Sequence, residues 1–335
     1  MGLSEDGRDV GMQHELRDHG GGLDAAAARF GGARAEWLDL STGINPVPYT
    51  LPDLPKGVWT ELPDRNAAEA LEHAARSFWD VPSGAAVLAV PGASSAIARL
   101  PALAAPGRVH VPGPTYNEHA AAFAAHGWEV EGDADAPGPF AVRVIVNPDN
   151  PTGRWWGAEA LGAPLTVIDE SFSDLAPDRS LIAHAGKPGH VVLKSFGKFW
   201  GLPGLRLGFV IGPSDAVERL AALMGPWPVS GPALVVGRAA LRDTGWARAA
   251  RIRLNEDAAH LDALMLRAGA VVAGGTALFR LYRVGAATGW QEMLAKCRIW
   301  SRVFPWSSRL IRLGLPGPDD WGRLEAALAA AAGPR

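Results

Sequence analysis

Six short apolar runs punctuate the chain: AAVLAV (85–90), RVHVP (108–112), VRVIVN (142–147), LTVIDE (165–170), HVVLKSF (190–196) and LGFVIG (207–212). Their hydrophobicity is nearly continuous rather than alternating, which predicts strands buried on both faces, as in a parallel sheet. Alanine-rich stretches between them, such as NEHAAAFAAHG (117–127) closing on Gly127, read as helices. Strand, helix, strand is the alternation of a doubly wound α/β domain. From about residue 232 the texture changes to one or two long helices, short strands near 278–283 and 309–313, and a last helix over 319–332. That pattern predicts a smaller α+β domain, with the proline-rich GPWPVSGP (225–232) at the boundary. The expected organisation is an N-terminal segment (1–50), a large α/β domain (51–230) and a small α+β domain (231–335). The turn-rich HGGGLD and STGINPVPY of the first segment stand outside the sheet pattern. They are expected to cross the surface toward the small domain or a partner subunit, a loose leader being the other reading.

Composition narrows the class without changing this layout. With 335 residues the chain can bury a large core and a companion. A net charge of −3 with mixed signs throughout gives no basic stripe for nucleic acid, so small-molecule chemistry is expected. The single cysteine, Cys297, allows no internal disulfide and no Cys-x-x-Cys pair, and the nine histidines do not fall at ligand spacings, so no metal is expected. The charged N-terminus shows no signal region and no apolar run approaches the roughly 18 residues of a membrane span, which predicts a cytoplasmic protein. The thirteen tryptophans, Trp155, Trp156, Trp227, Trp300 and Trp306 among them, are expected in cores and at a subunit interface.

Candidate chemistry gathers where the predicted strands end, the position of ligand crevices in open α/β sheets. AAVLAV runs into PGASSAI, a glycine turn opening a helix whose free N–H groups suit a phosphate. VRVIVN runs into PDNPTG, LTVID ends on Asp169, and HVVLKS ends on Ser195, with Lys198 and Arg206 following in SFGKFWGLPGLRLGF. Each element has a structural reading by itself: a generic turn, a helix cap, a snorkelling lysine. Together they supply a phosphate cup, a carboxylate, an amide and a lysine, which are the needs of pyridoxal phosphate: covalent attachment, a neutralised phosphate and a protonated ring nitrogen. A nucleotide site is disfavoured, since neither G-x-x-x-x-G-K-[ST] nor G-x-G-x-x-G is present. Lys194, inside the apolar run, is the rival to Lys198.

NPTG, VIDES and SFGKFWGLPGLRLGF, in that order, resemble the signatures of aspartate-aminotransferase-fold pyridoxal phosphate enzymes, in particular the histidinol-phosphate aminotransferase branch. The resemblance implies that fold, with a mostly parallel central sheet, and the cofactor pyridoxal 5′-phosphate. It implies Lys198 as the covalent lysine, Ser195, Arg206, Ala93 and Ser94 at the cofactor phosphate, Asp169 at the ring nitrogen, Asn150 at the ring hydroxyl and Tyr116 against the ring. HGGGLDAAAARFGG, WLDLSTGINPVPY, LPDRNAAEALEHAAR and LIRLGLPG resemble the threonine-phosphate decarboxylases of the branch, which implies a phosphorylated amino-acid substrate in cobalamin biosynthesis. An aminotransferase of the histidinol-phosphate type is the alternative. Arg312 matches the family's carboxylate-binding arginine, while His19, Asn45 and the weaker Arg280 are candidates to enclose the substrate. Two residues depart from the aminotransferase pattern: Phe172 and Leu62 stand where tyrosines are usual. A homodimer is expected from the same resemblance.

Overall fold

The computed structural model describes residues 18–331. Residues 1–17, the first part of the N-terminal segment expected over 1–50, and the C-terminal residues 332–335 lie outside them. Near the start come helix α1 (Leu23–Phe30), the two-residue strand β1 (Leu38–Asp39), α2 (Gly57–Thr60) and α3 (Arg65–Phe78). The large domain continues with β2 (Ala86–Val90), α4 (Ala93–Ile97), β3 (Arg108–His110), α5 (Asn117–Ala125), β4 (Glu129–Glu131), β5 (Val142–Val146), β6 (Leu165–Asp169), β7 (His190–Ser195), β8 (Gly208–Gly212) and α6 (Ser214–Met224). Next come α7 (Gly231–Arg242) and α8 (Thr244–Arg267), then β9 (Val271–Thr276), β10 (Phe279–Arg283), α9 (Ala287–Lys296), β11 (Ile299–Trp300), β12 (Arg302–Phe304), β13 (Ser307–Gly314) and α10 (Trp321–Ala331).

Seven strands form the central sheet in the order β2-β8-β7-β6-β5-β3-β4. The six apolar runs are all in it, and β5, β6 and β7 at its centre are parallel and buried. One of the six departs from the parallel expectation: β8 runs antiparallel to both its neighbours, β2 and β7. The reason is local, because residues 196–207 turn the chain straight back beside β7 instead of crossing over the sheet. That return brings Arg206 beside the end of β2. The long helical stretch after residue 231 divides in two where Asp243 caps α8 by accepting from Trp246 N at 2.8 Å.

The small sheet has the order β12-β13-β10-β9, all antiparallel. Strand β9 and helix α9 carry no strong sequence signal; β9 contains Gly274 and Gly275, which have low strand propensity. The N-terminal segment joins the small domain directly, with β1 pairing parallel to β11 (Leu38 opposite Ile299). Trp37, Leu23 and Ala295 bury themselves between these elements.

Beneath the sheet lies a dense ionic cluster. Along a strand successive side chains point to opposite faces, so Lys194 leaves β7 on the side away from Ser195. Its Nζ donates to Glu170 Oε2 at 2.7 Å and Ser173 Oγ at 2.5 Å. Glu170 also accepts from Ser180 Oγ (2.5 Å), Leu181 N (2.6 Å) and Asn147 Nδ2 (3.1 Å), so burial pushes its carboxyl up but Lys194 and these donors hold it below the usual range. Lys194 is thus a structural cation. Truncating one member of such a pair strands the other. Lys194→Met should lower the unfolding free energy by about 3–5 kcal/mol, and adding Glu170→Gln should restore part of it, both read by chemical denaturation.

Candidate active site

The lysine loop is fixed from below. Phe196, Phe199 and Trp200 are wholly buried, with the Phe196 and Trp200 rings stacked at 5.2 Å. With those neighbours committed to the core, Lys198 is left on the cavity side of the sheet. Asn45 secures the same loop: its backbone N donates to Lys198 O at 3.0 Å and its Nδ2 to Phe199 O at 2.8 Å. Its Oδ1 accepts from Val47 N and from Arg253 Nη2 at 2.6 Å. The expectation of Asn45 as a substrate residue is therefore corrected, because both ends of its buried amide are occupied and it lines neither cavity of the site.

A cavity of about 200 Å³ lies over the sheet's C-terminal strand ends. All eight residues anticipated around the cofactor line it: Lys198, Ser195 and Arg206 from β7 and its loop, Asp169 and Asn150 from β6 and the segment after β5, Ala93 and Ser94 from α4, and Tyr116 ahead of α5. One end is built for an anion. Arg206, itself at φ 51°, donates through Nη2 to Ser94 Oγ at 2.9 Å. Gly92 opens α4 at φ 82°, and a Cβ there would stand 2.5 Å from Arg206 Nη2. Only glycine allows the helix start and the guanidinium to approach this closely. The donor set and this cradle fit a phosphate, and the cavity as a whole fits a small phosphorylated ring.

At the other end Asp169 is buried and fully engaged. Oδ2 lies 2.8 Å from His119 Nε2, and Oδ1 accepts from Ser171 N (3.0 Å) and Ser171 Oγ (2.6 Å). Burial pushes its carboxyl up, but the His119 and Ser171 contacts outweigh that and hold it below the usual carboxylate range. Asp169 is ionised at neutral pH. His119 was not anticipated; its position three residues after Tyr116, on the same face of α5, was the available signal.

Lys198 stands between this cavity and a second, of about 580 Å³, and its Nζ lies 5.4 Å from the Phe172 ring centroid. Burial lowers its pKa to about 8, Arg312 and Arg206 push the same way and Asp169 opposes. The larger cavity shares Tyr116, Asn150 and Phe172 and adds His19, Asp18, Arg302 and Arg312. His19 pairs with Glu118 Oε1 at 2.8 Å. Arg312, nearly buried, donates to Asn150 Oδ1 and, at 2.5 Å, to Ser41 O, while its buried Nε has no partner among the described residues. Arg302 on β12 is directly opposite Arg312 on β13. Burial and the Arg302 charge lower the Arg312 pKa to about 9.

Arg302 is the main residue that sequence reasoning missed, since only the strand register sets it across from Arg312. Arg280, by contrast, is corrected out of the site: its Nε and Nη2 clasp Asp262 at 3.0 and 2.7 Å, and it lines neither cavity. Trp306, expected in a core or interface, stands half exposed at the mouth of the larger cavity. Leu62 is exposed and lines neither cavity. Phe172 packs edge-on against Phe279 at 5.1 Å, joining the large domain to β10 beside the lysine.

A mostly parallel sheet presenting a buried lysine, a clasped carboxylate and an anion cradle at its strand ends defines an α/β enzyme of the lysine-centred, phosphate-anchoring class. Residues 134–330 match the family model described as aminotransferase class I and II. A threonine-phosphate decarboxylase from Sinorhizobium sp is 43% identical over 327 residues, covering 93% of this chain and 97% of that protein. The threonine-phosphate decarboxylase of Pseudomonas aeruginosa is 39% identical over 329 residues, with the same coverage of 93% and 97%. The histidinol-phosphate aminotransferase of Sinorhizobium meliloti, solved in complex with pyridoxal-5′-phosphate, superposes with a TM-score of 0.78 at 17% identity, covering 93% of this chain and 94% of that one. The chain belongs to the class I and II aminotransferase family, on its threonine-phosphate decarboxylase branch.

The lowered lysine pKa has a direct readout in protein freed of cofactor. The folded Lys198 loses its proton near pH 8, well before an unfolded lysine does at about 10.4. Its acylation by acetic anhydride, mapped by peptide mass spectrometry, should rise through an apparent pKa near 8 while exposed lysines follow near 10.5. Arg312→Gln should move that midpoint upward. The sign for stability is the matching one: between these values the unfolded chain binds more protons, so this group's contribution to stability rises with pH from about 8 to 10.4.

Proposed function

We propose that the chain catalyses the decarboxylation of L-threonine O-3-phosphate to (R)-1-amino-2-propanol O-2-phosphate and carbon dioxide, using pyridoxal 5′-phosphate, as a step of cobalamin biosynthesis. The observation that carries this reading is the pair Arg302 and Arg312, opposed across two strands and both facing the cavity of Lys198. Like charges directly opposite each other destabilise a sheet. Their placement makes sense for a substrate with two anionic ends, a phosphate and a carboxylate. The threonine-phosphate decarboxylases at 43% and 39% identity support the same substrate class.

In this reading Ser195, Arg206, Ala93 and Ser94 hold the cofactor phosphate, Asp169 its ring nitrogen, Asn150 its ring hydroxyl, Tyr116 its face and Lys198 its aldehyde carbon. The bound cofactor supplies an electron sink conjugated to the substrate α-carbon. Asp169, kept ionised by His119 and Ser171, holds the ring nitrogen protonated. Arg312, whose buried Nε has no partner among the described residues, would take the substrate carboxylate and orient the bond to be broken. Arg302 takes the phosphate and fixes the other end. Once the substrate amine has taken its place on the cofactor, the freed Lys198 Nζ, with a pKa near 8, would deliver the proton that replaces the departing carbon dioxide on the α-carbon. A second copy of the chain completes this reading: Leu51, Trp59 and Leu62, each exposed on the segment before and around α2, are candidates for a homodimer contact.

Incubation of the holoenzyme with L-threonine O-3-phosphate should release carbon dioxide and the aminopropanol phosphate in equal amounts. Formation of a keto product without carbon dioxide would assign the site to transamination instead. Lys198→Ala should abolish both turnover and the visible absorbance of the bound cofactor, whereas Arg302→Gln and Arg312→Gln should each lower kcat/KM by about 10²-fold.

A further inference from the structure

Asp18 occupies the place that a substrate anion would take. Its Oδ1 lies 2.7 Å from Arg302 Nη1, and its carbonyl oxygen accepts from Arg302 Nη2 at 2.8 Å and Asn117 Nδ2 at 2.9 Å. The Arg302 side chain is only 12% exposed, while that of Asp18 is 44% exposed. The backbone around Asp18 is anchored without its carboxylate. Gly21 N donates to Ser41 Oγ at 2.6 Å, Trp300 Nε1 donates to Gly21 O at 3.0 Å, and His19 pairs with Glu118. The carboxylate can therefore swing off Arg302 while the segment stays in place.

An anion reaching Arg302 must displace a carboxylate that is already there. A phosphate ester carries about −1.5 to −2 at neutral pH and three acceptor oxygens. It gains more from the guanidinium than the single charge it displaces, whereas a singly charged group exchanges one unit for another. Among the described residues Arg312 has no carboxylate at contact distance: its hydrogen bonds go to the neutral oxygens of Asn150 and Ser41, and Asp39 and Asp18 act on it only from farther away.

We infer that Asp18 is an internal counter-anion that makes Arg302 selective for a doubly charged phosphate and leaves the singly charged carboxylate to Arg312. This fixes which end of a doubly anionic substrate enters first and hence which bond stands near Lys198. Without Asp18 the two arginines differ far less, and reversed binding competes. The inference deepens the functional reading above and rests on Arg302 being the phosphate ligand.

The test uses methyl phosphate and methyl sulfate, a dianion and a monoanion of similar shape, titrated into the holoenzyme by calorimetry. The native protein should prefer methyl phosphate by at least tenfold. Asp18→Asn keeps the carbonyl contacts and removes the charge; it should tighten methyl sulfate about five- to tenfold and methyl phosphate less, so that the preference collapses. Asp18→Glu, with the charge retained, should keep the preference. An unchanged ratio in Asp18→Asn, or a weakening of both ligands, would overturn the role of Asp18. Arg302→Gln separates the two ideas: undiminished methyl phosphate binding there removes the phosphate assignment itself, whereas lost binding with an unchanged ratio in Asp18→Asn removes only the counter-anion.

Discussion

Four cations, Lys198, Arg206, Arg302 and Arg312, converge on two adjoining cavities, and the architecture is arranged around their mutual repulsion. In a low-dielectric cleft such a set lowers the pKa of its most titratable member. That member is Lys198, brought to about 8 by burial together with the charges of Arg312 and Arg206. Burial is the larger cause, and the repulsion adds to it in leaving the amine able to lose its proton near pH 8. Asp169 and Asp18 offset it at two points, one in the lining of each cavity, and Asp169 is itself kept charged by His119 and Ser171.

Holding these charges requires rigid elements on both sides of the cleft. From the large domain, the parallel strand ends and the aromatic underside of the lysine loop set Asp169, Ser195 and Lys198. From the small domain, the β12 and β13 hairpin sets Arg302 and Arg312. The contact between Phe172 and Phe279 and the bond from Arg312 to Asn150 tie the two sides together. A buried ionic cluster around Glu170 and Lys194 stiffens the floor directly behind Asp169. Phe172, where related aminotransferases usually have tyrosine, contributes packing at this junction instead of a hydroxyl.

The residues around the cofactor cavity were legible because each lies within a few positions of a strand end, and the strands announce themselves by continuous apolar runs. Ser195, Lys198 and Arg206 fall in one stretch of chain, so their proximity is nearly a local property. Residues whose roles depend on register or on packing between segments were not legible in this way. Asn45 looked like a substrate residue within STGIN, yet its amide is consumed by Phe199, Val47 and Arg253, the last 208 positions away. Arg280 and Arg302 are both strand arginines of the small domain; only the side to which each points, toward Asp262 or toward the cavity, separates them.

By itself the sequence placed Lys198, Asp169, Ser195, Arg206 and the PGASSA turn at one set of strand ends, together with the strand and helix alternation that carries them, because short-range pattern and turn chemistry suffice for those. Tertiary structure alone decided that β8 returns antiparallel, that Lys194 turns away from the cavity, that Arg302 faces Arg312, and that Asp18 reaches across to neutralise it. The physical reason is the same in each case. Which face a side chain takes follows from strand register, and which charges meet follows from how separate segments pack, and neither is a property of neighbouring residues in the chain.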